Sequence, residues 1–157
     1  MNPSVDEYEF NTLRTVGGSV RLTLLKDAAV AAEIDVAPPR PTLVHLPAAP
    51  GVWLGCILAQ YPSQRERVRL RGVVTDTLAT DMTIVGEYPV DLRGKVGSTV
   101  TSVPPALVER LGLEVGEGIT TLPIAPGLVL FVSEPAIDRF GCSIGAAGES
   151  LERAMIG

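Results

Sequence analysis

Much is missing from this chain of 157 residues, and each gap excludes a class of protein. There are two cysteines, Cys56 and Cys142, too few for a disulfide framework and in neither a CxxC nor a metal-ligand spacing. Both read as buried thiols in a reducing compartment. The one histidine, His45, has no cysteine or carboxylate partner beside it, so a structural or surface role is expected rather than a ligand or a base. No apolar stretch is long enough to cross a bilayer, and the start lacks a basic segment followed by an apolar run, so the expected location is cytoplasmic, with no membrane partner. Aromatic residues make up only 4%, which argues against a surface that stacks bases. There is no GxxxxGKS, no GxGxxG after a strand, no HExxH and no workable Ser/His/Asp spacing, so neither an enzyme nor a cofactor is expected.

Positive charge is also scarce. The formal net charge is -5, whereas a generic nucleic-acid binder carries an excess of Lys and Arg. Any contact with a polyanion must come from a local concentration of basic side chains, with the acids kept on other faces.

What is present is a unit at residues 92–132. Short β-rich runs at 90–96, 98–103, 119–124 and 128–132 are separated by turn residues. Pro104 and Pro105 open a helix, because proline is tolerated where the backbone N–H has no partner. Leu107, Val108 and Leu111 share one face of it, Gly112 stands where a left-handed cap is expected, and Leu113 is placed to fold back. Pro126 and Gly127 form the last hairpin turn.

A worn copy precedes it at 13–54. Leu13, Arg14, Gly18, Ser19 and Val36 match Leu92, Arg93, Gly97, Ser98 and Val115; after a deletion of about three residues, Leu46, Pro47, Ala49, Pro50, Gly51 and Leu54 match Leu122, Pro123, Ala125, Pro126, Gly127 and Leu130. The copy has its turn at Gly17 and Gly18, a strand at 20–25 and a helix at 27–33 with Ala28, Ala29 and Ala32 in the places of Leu107, Val108 and Leu111. Smaller side chains let that helix sit closer, so a lopsided barrel is expected. Residues 1–6 read as frayed, and the prolines of 35–41 as an extended connection.

The run GSTVTSVPPALVERLGLEVGEG resembles the swapped-hairpin domain of the AbrB, MazE and SpoVT group, with Pro104, Leu111 to Leu113, Gly116 and Glu117 at its recurring positions. The likeness covers about 87–134 well and 7–57 weakly, where Leu25 replaces the proline and Glu33 the capping glycine. It implies a mainly β fold: a small swapped-hairpin, cradle-loop-like β-barrel built from two ββαββ repeats with short helices and a pseudo-twofold axis. The parts would be a degenerate repeat at 7–57, inter-repeat strands at 58–86, the better repeat at 87–134, and a tail at 135–157 with a short helix at 149–155. In that family two chains interleave hairpins into one barrel that usually binds DNA, so this chain resembles a dimer fused into one polypeptide. The resemblance implies a transcriptional regulator whose partner is double-stranded DNA, contacted by Arg14 and Arg21 in the first copy and Arg93 and Lys95 in the second. The alternative is a protein-interaction barrel, an antitoxin or adaptor that takes a protein partner. Both leave room for a homo-oligomer.

Between the copies, Arg65, Arg67, Arg69 and Arg71 recur at every second position. In a strand they would project from one face at about 6.6 Å intervals. Such a stripe suits phosphates through the guanidinium fork, or is a solvated edge whose charge discourages aggregation. One or two further strands are expected at 73–85.

Overall fold

Two strands buried on both faces run through the centre of the molecule. They are Val52–Ile57 and Leu128–Ser133, and every residue in each is buried. Such positions demand continuous apolar runs, which VWLGCI and LVLFV supply. Gly55 sits among them because a Cβ there would come within 2.7 Å of the Phe131 ring, so the aromatic side chain occupies the space a larger residue would need.

The structure, a computed structural model, describes residues 8–35, 40–80, 86–95 and 98–156. It is mainly β, with a sheet curled into a half-barrel and several short helices. In chain order the elements are β1 (Asn11–Thr12), β2 (Arg14–Val16), β3 (Ser19–Thr23), α1 (Lys26–Ala31), β4 (Thr42–Ala49), β5 (Val52–Ile57), α2 (Gln64–Leu78), β6 (Tyr88–Asp91), β7 (Arg93–Lys95), β8 (Ser98–Ser102), α3 (Pro105–Leu111), β9 (Gly118–Ala125), β10 (Leu128–Ser133), α4 (Glu134–Phe140) and α5 (Ser143–Ile156). Six strands form one sheet in the order β1-β9-β10-β5-β4-β6, and four form a second in the order β2-β3-β8-β7.

The central strands alternate between two cores. Val52, Leu54, Leu130 and Val132 face a layer made by α2, α4 and α5, packing on Leu70, Val74, Ile144 and Leu151. Trp53, Val129 and Phe131 face the other way, toward Leu22 on the second sheet and toward α1 and α3 through Ala29 and Leu107. The six-stranded sheet is therefore the middle layer, and the four-stranded sheet lies on the side away from the long helices.

Local signals account for the elements that were expected. Gly17 and Gly18 both have positive φ, the backbone of a two-residue hairpin turn joining Val16 to Ser19. Helix α3 ends at Gly112 with φ 66, its N–H donating to the Glu109 carbonyl while the Leu113 N–H donates to that of Val108. That is the paired-bond left-handed cap read from the sequence.

Several expectations are overturned. Residues 64–78 are helical where strands with an arginine stripe were expected, and this also replaces the strand expected from residue 73 as far as 78. Ser63 caps the helix by accepting from the Glu66 N–H, and Leu70, Val74 and Leu78, four residues apart, bury one side. The tail is more helical than the short 149–155 helix: α4 starts from a Ser133 cap with a proline in its first turn, and α5 runs through Gly145 and Gly148. Cys142 is exposed, not buried, because it lies in the turn between α4 and α5; Cys56 is buried. The expectations for residues 1–6, the prolines at 38 and 39, and strand residues 81–85 fall outside the described residues.

Candidate nucleic-acid interface

The second sheet gathers four basic residues. Strands β2, β3, β7 and β8 contain Arg14, Arg21, Arg93 and Lys95 and not one acid. Register decides which way they point. Arg14 stands opposite Arg21, Arg21 opposite Ser102, and Arg93 opposite Val100. Opposed residues share a face and so do residues two apart along a strand. Arg14, Arg21, Ser102, Val100 and Arg93 consequently lie on one side of the sheet, and the backbone of Lys95 continues that side. The side chain of Lys95 is outside the described residues. Leu22, Thr99 and Thr101 occupy the opposite side and are buried against the barrel core.

Two of the acids close to these cations in sequence are engaged elsewhere. Glu87 takes both prongs of the Arg67 guanidinium, at 2.7 and 2.8 Å. Asp91 accepts from the Thr42 hydroxyl at 2.9 Å. Among the described residues the ion pairs are Arg67–Glu87 and Arg69–Glu66, so none neutralises Arg14, Arg21 or Arg93. The Arg21 Nε, shielded from solvent, finds no acceptor among the described residues. An outward face with several cations and no carboxylate can hold phosphates without first breaking ion pairs.

The arginines of 65–71 do not form a second such face. On a helix, alternate residues fall about 200° apart, so a two-residue spacing splits them. Arg67 and Arg71, four apart, turn inward and are buried, whereas Arg65 and Arg69 turn outward. Arg67 also donates to the Tyr61 carbonyl at 2.8 Å, which fixes the segment before α2. Hydrogen bonding to Glu87 raises its pKa further above the ordinary arginine range. Arg69 is paired with the exposed Glu66, whose carboxyl that bond holds below its ordinary value. The stripe thus anchors α2 and braces the Glu87 segment that leads into β6. Neighbouring Cys56 has its thiol pushed up to about 12 by burial, with Arg67 opposing, so it is inert near neutral pH.

His45 holds the two sheets together. It lies on β4 and is fully buried. The Trp53 indole donates to its Nδ1 at 3.0 Å, which leaves the proton on Nε2, 2.9 Å from the Thr101 hydroxyl and 3.2 Å from the Ser102 carbonyl, both on β8. Burial lowers its pKa to about 4, so the ring is neutral near pH 7. The structural role expected of the lone histidine is the one it has. Its bonds to β8, more than 50 residues away in sequence, fix the strand that carries Val100 and Ser102.

Among the described residues no cluster of His, Cys, Asp or Glu is arranged to hold a metal, and no helix is long and apolar enough to cross a membrane. No family model matches the chain, and neither the curated proteins nor the solved structures compared with it include a match.

Proposed function

We propose that the chain is a tandem of two swapped-hairpin repeats, interlocked as a fused pseudo-dimer, that binds duplex DNA through the outer face of the four-stranded sheet. The observation that carries the DNA reading is the segregation of charge: in a protein of net charge -5, that face is built from strands with four cations and no acid. Phosphate contacts from such a face set register and orientation on a duplex.

The strand pairings support the tandem reading. Each sheet order is the same read from either end once the halves are exchanged, with β1 matching β6, β9 matching β4 and β10 matching β5. The matched residues pair alike: Asn11 with Ile119 and Val90 with Leu43, Arg14 with Arg21 and Arg93 with Val100. Leu54 faces its own counterpart Leu130, and Leu22 faces Thr101, as residues on a twofold axis would. Strand β1 of the first half adds to β9 of the second, and β6 of the second adds to β4 of the first, which is an exchange of hairpin strands.

Retention of pooled genomic duplex at near-physiological salt tests the function. The intact chain is expected to retain it, and the Arg14→Ala, Arg93→Ala double variant to lose most of the binding while Arg65→Ala, exposed on α2, behaves like the parent. Retention no better than that of an unrelated acidic protein would remove the DNA reading and leave the protein-binding alternative.

A further inference from the structure

Resting on the reading of this face as a duplex-binding surface, we propose that its target is not palindromic: Arg21 reads a guanine in one half-site, and Val100, its counterpart, reads a thymine methyl in the other.

The middle of the sheet is the part that can enter a groove. A two-stranded antiparallel ribbon fits a major groove about 12 Å wide. Here β3 and β8 form that ribbon, flanked by β2 and β7, whose separation at about 4.8 Å per strand is about 14 Å. Arg14 and Arg93, on the flanking strands, are placed over the phosphates at the groove edges. The ribbon itself presents Arg21, Thr23, Val100 and Ser102 toward the groove.

The two halves then diverge where bases would be read. Arg14 and Arg93 are matched across the sheet, so the phosphate contacts are nearly symmetric. Arg21 and Val100 occupy matched places and are chemically opposite. A guanidinium takes the O6 and N7 of guanine in the major groove, and an apolar side chain there packs on the thymine methyl. The Arg21 Nε has no hydrogen-bond partner among the described residues, so at least this donor is not consumed there. Arg21 lies directly opposite Ser102 and thus diagonal to Val100, a separation of about 7 Å on a sheet face. That is about two base steps at 3.4 Å each. Ser102 and Thr23, also matched, contribute hydroxyls that accept either base and add little asymmetry.

Selection of bound sequences from a random duplex pool, using the full chain, tests this. The enriched motif is expected to be asymmetric, with a guanine preferred about tenfold or more in one half and a thymine in the other. The reciprocal exchanges are the decisive arms. Val100→Arg should bring a guanine into both halves and make the motif palindromic, and Arg21→Val should replace the guanine preference with thymine. If Val100→Arg does not fold, judged by the emission of buried Trp53, Val100→Ala should weaken the thymine preference alone. A palindromic parental motif, enrichment without sequence preference, or a motif that neither exchange alters would overturn the inference while leaving duplex binding in place. Failure to enrich any duplex would overturn both.

Discussion

On the proposed tandem reading, helices α1 and α3 occupy matched places, and their differences show which features the shared geometry depends on. Both end in the same left-handed cap: the Gly112 and Leu113 N–H groups bond back to Glu109 and Val108, and the Glu33 and Ile34 N–H groups bond back to Val30 and Ala29. The cap glycine is present in one and replaced by Glu33, at φ 55, in the other. The buried face of α3 carries Leu107 and Leu111, while α1 carries Ala28 and Ala29. Helix α1 adopts the same cap geometry without the favourable glycine. Tertiary packing, more than local propensity, therefore holds α1 in place.

The comparison can be broken most forcefully on the α3 side. Leu107 is fully buried, so Leu107→Ala should cost about 3 kcal/mol in urea unfolding followed by Trp53 emission. A cost below about 1 kcal/mol would mean that α3 does not depend on its leucine face for its place in the fold.

A second difference on that reading is the His45 clamp, whose counterpart is Thr121, with a buried hydroxyl that has no hydrogen-bond partner among the described residues. The folded pKa of His45 is about 4 against an ordinary 6.5, so between those values the unfolded chain binds a proton that the folded chain does not. Stability from this group is whole above about pH 6.5 and falls as pH is lowered toward 4, by about 3 kcal/mol in all. Unfolding measured across that window should lose this component in His45→Gln relative to the parent. Parallel curves for the two proteins would remove the histidine from the account.

The caps give the smaller effects. Gly112→Ala forces a Cβ into the left-handed region and should destabilise by about 1 kcal/mol. The reverse change, Glu33→Gly, relieves the same strain and should stabilise by about 0.5 kcal/mol, less because glycine adds freedom to the unfolded chain. Equal and opposite midpoint shifts would mean that backbone strain alone separates the two caps.

The same contrast explains what could be read from the residues. Helix α3, its cap and the hairpin turns were legible because proline and glycine impose their own backbone. That Arg14, Arg21, Arg93 and Lys95 belong together was read from the proposed match between the copies, while the sheet and face they share depend on registers that only the fold supplies. The arginine stripe misled because alternation is the signature of a strand. In the same segment Ser63 with Glu66 three residues on, and Leu70, Val74 and Leu78 at four-residue spacing, carried the helical signal. Helix α4 repeats the proline-started pattern of α3, with Ser133 ahead of Glu134 and Pro135. In α5, Gly145 and Gly148 do not interrupt the helix, and Ile144, Ala147 and Leu151 place one buried edge along α2. The partners of His45 on β8 could not be found from sequence spacing, since the contact joins different sheets.

The central claim is that the outer face of the four-stranded sheet meets the duplex. Its most direct test is to follow backbone amide resonances while a duplex is titrated in. The account predicts that the perturbed amides cluster on β2, β3, β7 and β8, with α2 and α5 unmoved. Perturbations centred on the helical layer, with the sheet silent, would contradict it.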